Sequence, residues 1–361
     1  MVTRLSTLHP DLEVRWLGGR RGLEQDIVPA AGLRLDRLWL RSLRTVDASV
    51  DTLLDPLRLL ASVPQAVVHL MRWRPDVVYT TGGYVAIPVL VAAALLRIPS
   101  LLWEGNRVPG RSVRLVARLA SVRSVTYAGA QAHLPRPSYV TGTPIRDIRG
   151  LEPGAARRRL GLPDGLPVLL VFGGSQAVRR IDEAMADAIG DLVERCVVVH
   201  ITGPGAYAQA EARRDSLPEP VRERYRPFAF LHEDMDAALA AADLLVGRAG
   251  SSTLAEAAAA GLPMIVVPYP HAADHQRANA IDLVSSGAAR LVEDEDLDGD
   301  TLRDAADLLG DKERLAAMAA AARSVGRPGA TAATAVLVEA LAARAELPAA
   351  EGFEARTREA I

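Results

Sequence analysis

The sequence predicts an α/β protein made of two doubly wound, parallel-sheet domains. Short apolar, β-branched runs alternate with Ala-, Leu- and Arg-rich stretches of helical character along most of the 361 residues. Several of these runs are continuously apolar and end at glycine or another turn residue, as Val168–Phe172 does before Gly173. Strands of this kind are buried on both faces, which is typical of parallel sheets covered by helices.

A Pro- and Gly-rich stretch near the middle of the chain marks the boundary between the two domains. Residues 151–167 contain three prolines and three glycines, and a strongly apolar strand begins at Val168. A chain of this length is also expected to form about two domains. We therefore predict an N-terminal domain over 1–150, a C-terminal domain over 166–330, and a segment over 331–361 whose helix returns to the first domain before a tail.

Charge is distributed unevenly between the two halves of the chain. Residues 1–145 carry 18 Arg against 10 Asp and Glu, whereas residues 146–361 carry 24 Lys and Arg against 34 Asp and Glu. A basic half beside an acidic half indicates that one domain meets an anionic partner or surface. The chain has 41 Arg and a single Lys, so a G+C-rich genome is the alternative explanation.

Composition also excludes several classes of protein. The only cysteine, Cys196, rules out a disulfide framework and fits a reducing cytoplasm. The apolar run Val85–Ile98 contains Pro88 and Arg97 and is shorter than the roughly 20 residues that a membrane span needs. No signal peptide is predicted, and the few aromatic residues do not suggest a nucleic-acid surface.

The first motif with chemical content is the turn Gly173-Gly174-Ser175-Gln176, which lies between a strand and a helix. Glycines allow the backbone to approach a phosphate group closely. The N-terminus of the following helix offers unpaired N–H groups to an anion. The alternative is a tight strand-to-helix turn that binds no ligand.

The second motif, Gly247–Glu256, also follows a strand and opens a helix. Its Ser251–Thr253 run can cap that helix, and the exposed N–H groups suit a diphosphate. Arg248 adds a fixed cation. Glu256 lies three residues after Thr253, so that both can face one ligand, and its carboxylate can accept hydrogen bonds from ribose hydroxyls. The alternative is a capping box formed by Thr253 and Glu256.

The third motif, Pro268–Asn279, follows the next strand and carries His275, Gln276 and Asn279 into a helix. Several donors and acceptors therefore converge at one edge of the predicted sheet. Such a set is suited to binding sugar hydroxyls, although a single His or Gln at the surface would have no such meaning.

Together, the three motifs resemble the donor half of the MurG family of glycosyltransferases. The matching patterns are Gly-Gly-Ser-Gln, Arg-x-Gly-x-x-Thr-x-x-Glu, Ala-Gly-x-Pro and His-x-x-x-x-Gln-x-x-Asn-Ala, in that order and in the same strand context. The first half resembles the acceptor half of the family, notably in Gly82–Val85, in Glu104-x-Asn106-x-x-Pro109-Gly110 and in Pro144-x-Arg146.

The resemblance implies a GT-B fold, in which two Rossmann-like domains face each other across a cleft. It implies inverting transfer of N-acetylglucosamine from UDP-N-acetylglucosamine to undecaprenyl-diphospho-N-acetylmuramoyl-pentapeptide, the step from lipid I to lipid II of peptidoglycan synthesis. The enzyme would act at the cytoplasmic face of the cell membrane, as a peripheral protein on an anionic lipid surface. It would need no metal or other cofactor, because helix termini and arginine neutralise the departing UDP.

The resemblance also implies roles for individual residues. Glu256 would hold the ribose, while His275 and Gln276 would contact the N-acetylglucosamine hydroxyls. The full set of implied donor-binding residues is Gly173, Gly174, Ser175, Gln176, Arg248, Gly250, Ser252, Thr253, Glu256, His275, Gln276 and Asn279. The implied acceptor-side residues are Gly83, Tyr84, Glu104, Asn106 and Arg146.

Three departures from the family pattern limit these expectations. The family opens with a strand and a Gly-Gly-Thr-Gly-Gly-His loop, whereas this sequence starts within the helix that should follow. We therefore expect the first strand and the Gly-rich loop to be missing, most simply through a misplaced start codon, and the catalytic base stays unassigned. Trp103 stands where the family usually has His, and Thr143 stands where it has Asn.

Two other functions stay open at this stage. The chain could be a related UDP-sugar transferase with a different acceptor, such as a diacylglycerol or a secondary metabolite. It could also be a relative that binds the donor without transferring the sugar.

A run of arginines lies among apolar residues between Asn106 and Arg123. Arg111, Arg114 and Arg118 follow the spacing of one helix face. Such a basic face could dock on anionic lipid, and an ordinary solvated helix face is the alternative.

Overall fold

The structure is a computed structural model that describes residues 1–20, 24–40, 50–148, 150–173, 179–231, 233–270 and 273–358, without the side chains of 50–54 and 273. The chain forms two compact units. The first contains the residues up to Pro144 together with those from Gly329 onward, and the second spans Ile145–Pro328.

The N-terminal part of the first unit alternates strands with helices. Its strands are β1 (Arg15–Gly18), β2 (Arg34–Arg37), β3 (Val78–Thr80), β4 (Ser100–Glu104), β5 (Val122–Val125) and β6 (Ser138–Val140). Its α-helices are α1 (Val2–Leu8), α2 (Glu24–Ala30), α3 (Val50–Trp73), α4 (Ala86–Leu95) and α5 (Arg111–Val116).

The second unit repeats this alternation with longer strands. Its strands are β7 (Val168–Phe172), β8 (Val197–Ile201), β9 (Tyr225–Phe228), β10 (Leu244–Arg248), β11 (Met264–Val267) and β12 (Ala289–Leu291). Its helices are α6 (Pro153–Arg159), α7 (Arg179–Arg195), α8 (Tyr207–Ser216), α9 (Glu219–Arg222), α10 (Met235–Ala241), α11 (Ser251–Ala260), α12 (Ala273–Ser286), α13 (Gly299–Gly310) and α14 (Lys312–Val325). Two more helices, α15 (Ala330–Ala342) and α16 (Ala355–Arg358), belong to the first unit.

The second unit is built on one six-stranded parallel sheet with the order β12-β11-β10-β7-β8-β9. Alternate residues of β7 face opposite layers, because successive side chains of a strand point to opposite sides. Val168, Leu170 and Phe172 pack in the layer that contains α10 and α11, and Leu169 and Val171 pack in the layer that contains α7 and α13. This two-sided burial explains why the strand is continuously apolar.

In the described part of the first unit, the strands form two separate parallel sheets, β1-β2 and β3-β4-β5-β6. Helix α15 covers one face of the larger sheet, where it packs with Leu101, Val122 and Tyr139. The Tyr139 ring meets the edge of Phe353 at 5.1 Å, and its hydroxyl donates a hydrogen bond of 2.8 Å to the Pro348 carbonyl oxygen. The C-terminal segment is therefore part of the core of the first unit.

The helices of the first unit differ in length and in apolar character. Helix α3 is 24 residues long and contains Pro56 and Pro64, whereas the strongly apolar α4 has only 10 residues. Among the residues that the structure describes, no helix combines the length and the apolar character needed to cross a membrane.

Gly247 lies where β10 passes closest to β7. A Cβ at this position would be 2.8 Å from the carbonyl oxygen of Phe172, a backbone atom held by the sheet. We expect Gly247→Ala to lower the free energy of unfolding by about 1–3 kcal/mol, the usual cost of overpacking, in urea denaturation.

The matched control is Gly190→Ala within α7, where a Cβ would meet nothing within 4 Å. That change should raise stability by about 0.5–1 kcal/mol, because alanine is the better helix former. Equal effects of the two substitutions would contradict the close approach of β7 and β10.

Candidate functional site

The predicted donor-binding residues follow three strands that are neighbours in the second unit. Gly173 follows β7, Arg248 ends β10, and the segment carrying His275 follows β11. Because β10 pairs with both β7 and β11 in parallel, the carboxyl ends of all three lie side by side. After β7, the chain adds β8 and β9 on one side of it and then β10, β11 and β12 on the other. Such folds bind ligands at the point between the two neighbouring strands where this change of side occurs, here between β7 and β10. The other three residues of the first motif, Gly174, Ser175 and Gln176, lie outside the described residues.

Helix α11 begins three residues earlier than a capping box of Thr253 and Glu256 would require. Gly250 is its N-cap and has no side-chain cap, and the Leu254 N–H donates to the Gly250 carbonyl oxygen at 3.0 Å. Thr253 is the third residue of the helix, so the capping-box interpretation is wrong, as is the expectation that a Ser or Thr side chain caps this helix. The N–H groups of Ser251–Thr253 precede the first intrahelical bond and point out of the helix, as anion-binding helix openings require.

Glu256, one turn into α11, is held by an arginine from the start of the second unit. The Arg146 Nε donates a hydrogen bond of 2.8 Å to Oε1 of Glu256. Arg146 was predicted on the acceptor side, but it contacts a donor-side candidate because the chain has already passed into the second unit after Pro144. The pair fixes the carboxylate at the opening of the helix.

Arg248 is buried, with 6 % of its surface exposed. Its guanidinium forms a short ion pair with Asp294, approaches the Pro268 carbonyl oxygen at 3.4 Å and lies 5.5 Å from the centre of the Tyr269 ring. Arg180 lies 3.4 Å from the other carboxylate oxygen of Asp294. Arg248 is therefore a cation held in a fixed position, and it is paired with the Asp294 carboxylate.

The helix after β11 brings its three predicted residues to the same edge. The Gln276 side-chain oxygen accepts a hydrogen bond of 2.8 Å from the Tyr269 N–H, so it fixes the turn that follows β11. His275 has a buried Nδ1 with no hydrogen-bond partner among the described residues. Asn279 is buried beside them. This arrangement leaves polar groups of α12 next to the opening of α11.

A cavity of about 700 Å³ opens at the carboxyl ends of β7 and β8. Of the predicted donor residues that the structure describes, none lines this cavity, but Phe172, the residue before Gly173, does. The sequence did not predict this cavity, because its walls come from several elements that meet only in the fold. They combine apolar and charged side chains, among them Phe172, Phe230, Leu231, Met235, Asp182 and Arg213.

Glu104, predicted for the acceptor side, organises the loop that follows β4. It is almost fully buried and accepts hydrogen bonds from the backbone N–H of Asn106 at 2.8 Å, the Asn106 side chain at 3.0 Å and the Gly110 N–H at 3.2 Å. Both carboxylate oxygens are thus engaged within the loop. Glu104 lies at the carboxyl end of β4, and its observed contacts are those of a residue that shapes this loop.

Gly83 and Tyr84 lie at the neighbouring strand end, because β3 pairs with β4 in parallel. Gly83 is exposed and has a φ of +74°, a conformation that favours glycine. The Tyr84 ring is half-buried against the backbone of Gly19, and burial, followed by the nearby Glu24, raises the pKa of its hydroxyl. Four of the five predicted acceptor-side residues therefore lie in the first unit, at adjacent strand ends.

Within the part of the chain that the structure describes, no group of three or more His, Cys, Asp and Glu residues has the arrangement of a metal site. The chemistry of the described edge is instead that of helix N–H groups, guanidinium–carboxylate pairs and amides.

Comparison with known proteins gives matches over both units. Residues 5–122 match the glycosyltransferase family 28 N-terminal domain, and residues 168–334 match the glycosyltransferase family 28 C-terminal domain. A protein of Moorella thermoacetica named UDP-N-acetylglucosamine--N-acetylmuramyl-(pentapeptide) pyrophosphoryl-undecaprenol N-acetylglucosamine transferase is 39 % identical over 339 residues, 90 % of each chain. A relative of the same name from Desulforudis audaxviator is 38 % identical and covers 93 % of this chain and 92 % of its own.

Solved structures agree with these matches. The crystal structure of Acinetobacter baumannii MurG has a TM-score of 0.72 and 26 % identity, with 94 % of both chains covered. The calicheamicin glycosyltransferase CalG4, at 18 % identity and a TM-score of 0.59, shares the fold alone. The fold is thus GT-B, with two Rossmann-like, parallel-sheet units. On the strength of its relatives over about nine-tenths of its length, the chain belongs to glycosyltransferase family 28 and, within it, to the MurG family.

Proposed function

We propose that this chain transfers N-acetylglucosamine from UDP-N-acetylglucosamine to undecaprenyl-diphospho-N-acetylmuramoyl-pentapeptide, with inversion at the anomeric carbon. The names of relatives at 38–39 % identity support the donor and the acceptor. The observation that carries the proposal is the opening of α11, where unbonded helix N–H groups adjoin the Arg146–Glu256 pair at the strand ends of a Rossmann-like sheet. The product would serve peptidoglycan synthesis and, through it, cell shape and division.

The donor would bind along the carboxyl edge of the second unit. Its diphosphate would lie at the N-terminus of α11, where the helix dipole and N–H groups favour negative charge. Glu256 would accept hydrogen bonds from ribose hydroxyls, with Arg146 keeping its carboxylate in place. The nucleoside base would enter the cavity beside Phe172 and Phe230, since apolar and aromatic walls suit a flat ring. His275, Gln276 and Asn279 would then lie on the sugar side.

The transfer itself requires two contributions from the protein. A base must accept the proton of the attacking hydroxyl, and positive dipoles must stabilise the charge that develops on the departing UDP. The opening of α11 would provide the second contribution, because its N–H groups are already oriented and need no rearrangement during the reaction. No described residue is assigned as the base.

The acceptor is a lipid, so the first unit is expected to meet a membrane surface. Helix α5 ends at Val116, earlier than the predicted helix face, so that Arg118 lies beyond it. Arg111, Arg114 and Arg118 are nevertheless all exposed, and Leu115 among them is 70 % exposed. Exposed apolar and cationic side chains together favour the headgroup region of anionic lipid. We therefore place the protein at the cytoplasmic face of the membrane as a peripheral enzyme.

The acceptor assignment can be tested with radiolabelled UDP-N-acetylglucosamine and two acceptors in parallel. We expect label to be transferred to undecaprenyl-diphospho-N-acetylmuramoyl-pentapeptide, because of the relatives' named activity. Transfer to diacylglycerol alone would establish a different acceptor. Calorimetric binding of the donor without transfer to either lipid would identify a donor-binding protein and would contradict the proposed reaction.

Glu256→Gln should weaken UDP binding, because a neutral amide is a poorer acceptor for ribose hydroxyls than a carboxylate. The substitution also removes the negative charge that pairs with Arg146. We expect the Kd of UDP to rise about tenfold in calorimetry, the effect of losing one charge-assisted hydrogen bond. Glu194→Gln, which changes an exposed glutamate in the last turn of α7, away from the lining of the cavity, is the control. An unchanged Kd in the Glu256 variant would remove this residue from the donor site.

Membrane docking through the exposed arginines can be measured by sedimentation with phosphatidylglycerol vesicles. Replacing Arg111, Arg114 and Arg118 together with Gln should weaken binding by at least about tenfold, since each cation near an anionic surface contributes about 1 kcal/mol. Leu115→Ser should weaken binding without changing its salt dependence. Arg290→Gln, on the second unit, is the control, and equal binding of all variants would exclude this surface.

A further inference from the structure

Four polar side chains form a continuous chain beneath the cavity of the second unit. The chain runs from Arg213 on α8 through Tyr225 on β9 and His200 on β8 to Asp182 on α7. His200 and Tyr225 are completely buried, at 0 % exposed, whereas Arg213 and Asp182 line the cavity. The chemistry proposed above does not use any of these four residues.

The contacts within this chain are close. The Tyr225 hydroxyl lies 2.9 Å from Nδ1 of His200, and Nε2 of His200 lies 3.2 Å from Oδ1 of Asp182. The second contact is not aligned as a linear hydrogen bond, and among the described residues neither of its atoms has another partner. At the far end, the charge of the Arg213 guanidinium acts on the Tyr225 hydroxyl and opposes the rise in its pKa that burial causes.

The protons of the chain can be assigned from its partners. Burial lowers the pKa of His200, so its ring is neutral, and burial raises the pKa of Tyr225 to about 12, so its hydroxyl keeps its proton. Tyr225 then donates to Nδ1, which places the ring proton on Nε2, facing Asp182. The Tyr225 hydroxyl proton and the His200 ring proton therefore both lie on the side toward Asp182.

The buried polar ring of His200 needs hydrogen-bonding partners to offset the cost of its removal from water. The other residues of β8 are Val197, Val198, Val199 and Ile201, and burying a polar ring among them is unfavourable unless its nitrogen atoms have partners. The neighbours of His200 are Tyr225 on β9 and Asp182 on α7. The ring thus links β9 to α7 beneath the cavity.

We propose that Tyr225 and His200 are positioning residues of the donor site, which hold the Asp182 carboxylate in the cavity wall for contact with the nucleoside. Arg213 lines the same cavity. The inference rests on the proposed function, which places the nucleoside in this cavity. A carboxylate accepts from an N–H group, and a guanidinium donates to carbonyl oxygens. Together they suit a base that offers both, as the imide of uracil does.

Two substitutions of His200 separate the two links of the chain. In His200→Gln the side-chain amide reaches the position of Nε2 and keeps the link to Asp182. In His200→Asn it reaches only the position of Nδ1, so the link to Tyr225 survives and the link to Asp182 is lost. We expect the Kd of UDP in calorimetry to rise about tenfold for the Asn variant and to stay within about threefold for the Gln variant.

Steady-state assays should show the same order in the KM for UDP-N-acetylglucosamine, with kcat at saturating donor changed less than about twofold. Asp182→Ala should match His200→Asn, and combining the two should add little. Asp182 is partly exposed, so its variant tests the inference even if both His200 variants fail to fold.

UDP affinity equal to that of the unsubstituted chain in folded His200→Asn and Asp182→Ala would overturn the inference and leave the proposed transfer intact. An additive double variant would also overturn it, because the residues would then act separately. Failure of the unsubstituted chain to bind UDP at all would instead contradict the proposed function.

Discussion

The parallel pairing of β7 with β10 is the constraint on which the second unit depends. These two strands are far apart in sequence but adjacent in the sheet, so the segments that follow them leave in opposite directions and open a crevice at their carboxyl ends. Gly247 permits the close approach, since any side chain there would meet the Phe172 carbonyl oxygen. The opening of α11, the Arg248–Asp294 pair and the cavity beside Phe172 all take their positions from this one pairing.

The charged groups of this edge are compensated before any ligand arrives. Arg248 pairs with Asp294, Arg146 pairs with Glu256, and Asp182 lies 3.2 Å from the buried ring of His200. An isolated buried guanidinium or carboxylate would cost several kcal/mol, whereas a paired one has a fixed position at little cost. An anionic donor would therefore be recognised by oriented N–H groups and preset pairs, which need no rearrangement as charge develops on the leaving group.

The sequence predicted the elements that depend on local pattern and missed those that depend on distant contacts. Continuously apolar runs such as β7 identified the parallel sheet, and the order of the motifs identified the family. The sequence did not predict that Arg146 would bond Glu256, 110 residues away, because no local pattern links the two. A Ser or Thr was expected at the N-cap of α11, but the N-cap is Gly250, which has the extended backbone conformation that this position needs. Asp182 and His200 lie on different elements and meet only when α7 packs on the sheet.

Two residues of the first unit that depart from the family pattern, Trp103 and Thr143, both make polar contacts. Trp103 donates a hydrogen bond of 2.9 Å from its indole N–H to the Gly142 carbonyl oxygen, which ties the end of β4 to the segment after β6. The Thr143 hydroxyl lies 2.9 Å from that of Thr126. Both side chains thus make polar links across strand ends. The loop that carries Glu104 and Asn106 is held by its own hydrogen bonds, so the two departures change side chains beside this loop and leave the bonds that shape it in place.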